Sequence, residues 1–186
     1  YCILSEEDAN LLCSPQRPIL LLERNLAHPL PDSIAPGQNS IGVMLPYTPL
    51  HYLLFTKKEN FPQSPYQVLV MTSANFRGNP ILTENEQVRE QLSEIADVFL
   101  FHNRPIHIHC DDSVIRGTPL EREEIDLSFP IRRSRGYAPQ PLTSPISGPS
   151  VLALGAELKN TFCHTRENNA FLSQHLGDLK NLQTLT

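Results

Sequence analysis

Proline constrains this chain more than any other residue: 17 of its 186 residues are proline, and several of them bound short apolar runs. A proline lacks the amide N–H and fixes φ, so it closes strands and helices or opens helices, and the elements between prolines stay short. Pro15 and Pro18 end an N-terminal segment in which Ser5, followed by Glu6, Glu7 and Asp8, predicts an N-capped helix with acids in its first turn. The run P-I-L-L-L-E (18–23) predicts a buried strand, and the Pro-rich stretch 27–38 a loop. I-G-V-M-L (41–45) predicts a second strand closed by Pro46, after which Thr48-Pro49 opens a helix reaching about Thr56. Q-V-L-V-M-T (67–72) is mostly apolar and predicts a central strand. Residues 84–95 have helical spacing with Thr83 as cap. Residues 98–101, 106–110, 113–116 and 129–133 are short strand candidates. Interleaved strands and helices argue a mixed α/β class.

Composition excludes several functions. Lys+Arg is 15 against Asp+Glu 20, a net charge of −5, which rules out a generally basic nucleic-acid coat while leaving room for a local patch. No apolar run approaches the length of a membrane span, and the first residues form neither a signal nor a transit peptide. The four cysteines lie far apart with no C-x-x-C pair, so a reducing, cytoplasmic setting is expected. Q-P-L-T-S-P-I-S-G-P-S (140–150), with three Pro, three Ser and no charge, has a linker's composition. The domain reading is therefore 1–140, a linker at 141–150, and 151–186, where V-L-A-L-G starts a new strand–turn pattern. The last part is too short to fold alone.

Four stretches carry chemistry. M-T-S-A-N (71–75) leaves an apolar strand with hydroxyls and an amide, where ligands gather in α/β sheets; an ordinary side-chain turn is the alternative. I-R-R-S-R-G-Y (131–137) packs three arginines into four residues before a glycine, a pattern suited to phosphate; a solvated strand end is the alternative. H-I-H-C-D-D-S (107–113) on a strand would turn His107, His109 and Asp111 to one face, but the ligand set is thin, so no metal site is assigned. Asp112-Ser113 suits a Mg²⁺-nucleotide or a reacting anion better. L-P-Y-T-P-L-H (45–51) joins a strand end to a helix start, with His51 in the first turn, where a packed or exposed helix histidine is the commoner outcome. The chain has no Walker A, G-x-G-x-x-G or G-x-S-x-G pattern, so neither a conventional nucleotide loop nor a serine hydrolase is supported.

Taken in order, S-P-Q-R-P-I-L-L-L (14–22), I-A-P-G (34–37), I-G-V-M-L-P-Y-T-P-L-H (41–51), V-M-T-S-A-N (70–75), D-D-S-V (111–114) and R-R-S-R-G-Y-A-P (132–139) resemble the YrdC-like domain of the hydrogenase-maturation carbamoyltransferases, the HypF family. L-A-L-G-A-E-L-K-N-T-F-C (152–163) and A-F-L-S-Q-H-L-G-D-L (170–179) resemble the opening of that family's transferase domain. The resemblance implies a YrdC-like twisted mixed sheet flanked by helices, then the first strands of an actin-like (ASKHA) domain. It implies that an acylphosphatase-like domain elsewhere in such proteins releases carbamate from carbamoyl phosphate. The YrdC-like domain would join carbamate to ATP, giving carbamoyl-adenylate and pyrophosphate, and the last domain would pass carbamoyl to the C-terminal Cys of the partner HypE. By resemblance, Ser73, Asn75, Ser113, Arg133 and Arg135 would contact nucleotide phosphates. Asp112 would hold Mg²⁺ or the carbamate amine, and Lys159, Asn160 and Thr161 would form the transferase domain's first phosphate-binding turn. Asp112 and Arg135 stand as the catalytic pair, ATP and Mg²⁺ as cofactors.

The family's acylphosphatase and zinc-finger-like segments are not in this sequence and its Lys-x-Arg nucleotide-binding segment would precede Tyr1, so the chain reads as a fragment with an incomplete pocket, inactive alone; T-S-A-N in place of the expected T-S-G-N is a mild variation shared with stand-alone relatives. Its later His-containing metal site is not carried over to His175 or Asp178. The remaining readings are a YrdC-like module binding RNA, which net charge −5 disfavours, a threonylcarbamoyl-adenylate synthase, which the block from Leu152 disfavours, and a non-catalytic HypE scaffold.

Overall fold

A computed structural model describes residues 1–56, 66–76, 78–117 and 129–179. The chain divides into two compact units, residues 1–71 with 112–136, and residues 72–111 with 137–186.

The first unit is built on a mixed four-stranded sheet in the order β2–β1–β3–β4, with β1 at Ile19–Glu23, β2 at Ser40–Val43, β3 at Val114–Arg116 and β4 at Phe129–Arg132. β1 runs parallel to β3 (Leu20 opposite Ile115) and antiparallel to β2, while β4 is antiparallel to β3. Alternation along β1 sends Leu20 and Leu22 inward, where they meet Ile41, Ile115 and Leu12 of helix α1 (Glu6–Cys13) as the core. Ser5 caps α1 in a full capping box with Asp8, as its sequence predicts. Thr48 caps α2 (Pro49–Phe55) by accepting the His51 N–H, and Pro49 opens it.

The second unit carries α3 (Asn85–Leu92) and an antiparallel sheet in the order β5–β7–β6: β5 at Leu142–Gly148, β6 at Leu152–Leu154, β7 at Phe162–Leu172. The helix expected from residue 84 is present, but Glu84 rather than Thr83 occupies the cap position and gives no side-chain bond.

Three expectations are corrected. Residues 67–72 are not a central strand: they pair with no strand among the described residues, and Val70 is 72 % exposed. Apolar content says which side chains suit a sheet interior, but a strand needs a second backbone beside it, and the places flanking β1 are filled by β2 and β3. Residues 98–101 and 106–110 likewise form no strand among the described residues; Phe99 and Phe101 stack on each other, with Arg89 over the Phe101 ring. The stretch 141–150, expected as an open linker, holds β5, because three prolines and small residues still leave N–H and C=O groups that β7 takes up across an irregular register. Among the described residues no helix is long and apolar enough to cross a membrane.

Candidate functional site

In the first unit, Asp112-Ser113 and the R-R-S-R-G motif meet where β3 begins and β4 ends. Ser113 delivers the chain into β3 while its carbonyl accepts from the Ile19 N–H at 2.8 Å, which fixes it to the start of β1. Its side chain is fully buried: Oγ accepts from the Ser134 N–H at 2.8 Å and donates to the Arg135 carbonyl at 2.9 Å. A hydroxyl has one proton to give, so Ser113 organises the arginine segment and keeps no proton for a phosphate.

Arg135 is the hub. Its Nε donates to Asp112 Oδ1 at 2.6 Å, Nη1 to the Gln16 carbonyl at 3.0 Å and Nη2 to the Arg17 carbonyl at 2.8 Å. Its guanidinium lies 3.5 Å from the centre of the Tyr47 ring, and His51 meets that ring edge-on at 4.6 Å. The Arg135 and Asp112 side chains are 20 % and 26 % exposed, so the pair is largely withdrawn from water. Three of the five guanidinium N–H groups go to protein acceptors, leaving two for an anion. Gly136 follows at φ +85°, pressed so closely on Gln16 that a Cβ would lie 2.8 Å from the Gln16 carbonyl oxygen. Arg133 is half-buried immediately after β4.

The second unit holds the other predicted residues. Ser73 Oγ donates to the Asn75 carboxamide oxygen, and Asn75 Nδ2 donates to the Asn79 carbonyl at 2.6 Å, so the pair closes its own turn. Lys159 has φ +52°, and its backbone N–H donates to Asp178 Oδ1 at 2.7 Å. The Asn160 N–H donates to the Gly177 carbonyl, and the Thr161 carbonyl accepts from the Gly155 N–H. Two donors of the expected phosphate turn thus rest on the 177–178 segment, and a carboxylate sits at the Lys159 amide.

With residues 106–110 outside any strand, His107, His109 and Asp111 lose the premise of a shared face. Asp111 instead meets His175 (Nδ1–Oδ2 2.7 Å), and the Gln174 side chain donates to the His109 carbonyl at 3.3 Å. This pair is largely buried, at 22 % and 16 % side-chain exposure. Truncating one partner strands the other, so Asp111→Ala is expected to lower stability by about 1–3 kcal/mol while Asp111→Asn, which keeps an acceptor, costs less. A double-mutant cycle with His175→Ala, followed by urea denaturation, reads the coupling directly.

Mg²⁺ does not fit as a protein-held ion here. Asp112 already neutralises a guanidinium, which would oppose a dication, and among the described residues no three His, Cys, Asp or Glu side chains converge on a metal position. Tyr47, the Gln16 and Arg17 carbonyls, Ser134 and the Asp111–His175 pair were missed by the sequence reading. Tyr47, Ser134 and Asp111 lie inside stretches the sequence singles out, and Gln16 and Arg17 are caught between Pro15 and Pro18, but none of these signals names the contact made.

The Sua5/YciO/YrdC family model, described as "Telomere recombination", matches residues 1–127, and the HypF Kae1-like domain model matches residues 147–186. Carbamoyltransferase HypF2 of Cupriavidus necator is 47% identical over 185 residues, covering 95% of this chain and 23% of that protein. Carbamoyltransferase HypF of Rhizobium leguminosarum bv. viciae is 41% identical over 184 residues, covering 97% and 23%. The crystal structure of a full-length HypF in its phosphate- and nucleotide-bound form superimposes with a TM-score of 0.82 at 42% identity, covering 100% of this chain and 27% of that one. The chain therefore spans about a quarter of the length of the relatives it matches. With a YrdC-type match over residues 1–127 continuing into a HypF-type Kae1-like match from residue 147, the chain belongs to the HypF family.

Proposed function

We propose that this chain contributes the carbamoyl-adenylating part of a HypF-type carbamoyltransferase acting in hydrogenase maturation. The observation that carries this reading is the order of the two family matches in one chain, YrdC-like then Kae1-like, at 41–47% identity to named carbamoyltransferases. The solved relative that was crystallised with phosphate and nucleotide supports a nucleotide as substrate. In this reading the YrdC-like domain takes residues 1–140 and the transferase domain starts at 151, with 141–150 between them.

The step is an attack by a carbamate oxygen on the α-phosphorus of ATP. A new P–O bond forms, the bond to the β-phosphate oxygen breaks, and pyrophosphate leaves with the electron pair. Such chemistry needs no protein nucleophile, only anions held in line with their charge offset. Arg135 offers two N–H groups from a site preset by Asp112 and two carbonyls, and Arg133 lies two residues away. Mg²⁺ enters on the phosphates of ATP as part of the substrate. Ser73, Asn75, Lys159, Asn160 and Thr161 serve nucleotide phosphates only after their present turns open, since Asn75, Lys159 and Asn160 each spend donors within the protein. The carbamoyl group then passes to the C-terminal Cys thiolate of HypE, with AMP as leaving group.

The test replaces the matching segment of the Cupriavidus necator protein by this chain and measures carbamoyl-phosphate-dependent ATP–pyrophosphate exchange beside the unmodified protein. Exchange in both supports the reading. Exchange in the unmodified protein alone sinks it for this chain, and exchange that needs threonine and bicarbonate instead moves the activity to threonylcarbamoyl-adenylate formation.

A further inference from the structure

The block L-P-Y-T-P-L-H has no part in the proposed step, yet its Tyr47 lies in direct contact with Arg135, the residue at the centre of that step. Thr48 caps α2 through the His51 N–H, and this places the His51 ring edge-on to Tyr47 at an interplanar angle of 85°. Tyr47 in turn lies against the Arg135 guanidinium at 3.5 Å. We propose that Tyr47, braced by His51, is a positioning residue that locks the plane of the Arg135 guanidinium so that its two remaining N–H groups face an incoming anion.

Asp112 and the two carbonyls grip three N–H groups along the guanidinium edges, but in-plane hydrogen bonds alone resist tilting poorly. A ring against one face removes that freedom and adds a cation–π attraction, which strengthens as the pair is withdrawn from water. His51, meeting the ring edge-on, fixes the ring itself in the favoured T-shaped geometry. The site is thereby set before the anion arrives, so less ordering is left for the binding step.

The proposal rests on the adenylation reading, and the experiment separates the two. Tyr47→Leu and Tyr47→Phe are compared in the exchange assay of the hybrid protein, with the urea midpoint of each variant measured alongside. The Arg135 Nε–H proton resonance, which a stacked ring shifts upfield, is followed in the same variants. Expected for Tyr47→Leu is a roughly tenfold rise in KM for ATP with kcat held within about threefold, and loss of the upfield shift. Tyr47→Phe, which keeps the ring, restores both. A merely structural role lowers the active fraction, so kcat falls at unchanged KM; that pattern, or an Arg135 resonance indifferent to Tyr47→Leu, overturns the proposal. If the hybrid protein shows no exchange, the adenylation reading fails, while the resonance still decides whether Tyr47 holds Arg135.

Discussion

Arg135→Ala is expected to lower the unfolding free energy by about 2–4 kcal/mol, moving the urea midpoint down by roughly 1–2 M. The change strips a largely buried carboxylate, Asp112, of its cation and leaves the Gln16 and Arg17 carbonyls without the donors they now accept from. It also removes the cation lying against Tyr47. Arg135→Lys is expected to recover less than half of the loss. A tetrahedral ammonium keeps the charge but cannot lie flat on the ring while reaching three acceptors set around a planar fork. Arg135 therefore joins three parts of the first unit, the turn before β1, the approach to β3 and the exit from β4. An activity loss in Arg135→Ala has to be read against that stability change. A midpoint equal to that of the unsubstituted chain would show that the contacts around Arg135 contribute nothing net.

Gly136→Ala is the second large effect, expected at about 3 kcal/mol. At φ +85° an alanine pays about 1 kcal/mol for its backbone conformation alone. Its Cβ would also lie 2.8 Å from the Gln16 carbonyl oxygen and 2.9 Å from Gln16 Cα, which are backbone atoms with little room to give. That carbonyl is the one Arg135 Nη1 uses, so relief of the overlap lengthens a hydrogen bond of the hub. Gly37→Ala is the internal control: Gly37 also has positive φ, at +69°, but nothing lies within 4 Å of its added Cβ. It is expected to cost only the conformational part, about 1 kcal/mol. Equal urea midpoints for the two variants would remove the steric part of the argument.

These two residues show how the candidate site relates to its motifs. R-R-S-R-G is conspicuous in an acidic chain, and phosphate contact is the obvious use for three arginines before a glycine. Within the fold, Arg135 is occupied mainly in holding the protein together, and the phosphate role proposed for it falls to two N–H groups out of five. Ser113 changes in the same way, from a hydroxyl offered to nucleotide into one that ties Ser134 and Arg135 to the start of β3. A motif records which residue types are present, whereas their partners lie at distant sequence positions. The Arg135 donors reach back 118 and 119 residues to Arg17 and Gln16.

Local signals set the elements whose physics is local. Capping hydroxyls and prolines mark α1 and α2 because the orphan N–H groups of a helix start are satisfied within three residues. β1 was readable from its uninterrupted apolar run, although only Leu20 and Leu22 on one face are fully buried while Ile19 and Leu21 on the other are half-buried. The order of the blocks also identified the family. The sequence did not disclose which apolar segments would pair. Residues 67–72 look more strand-like than 142–148, yet among the described residues only the latter form a ladder, because a strand is a relation between two backbones and composition describes one. Tyr47 against Arg135 and Asp111 against His175 were decided by tertiary structure for the same reason. Contacts across 88 and 64 residues depend on where the sheets bring the chain, and nothing within a few residues of either partner records them.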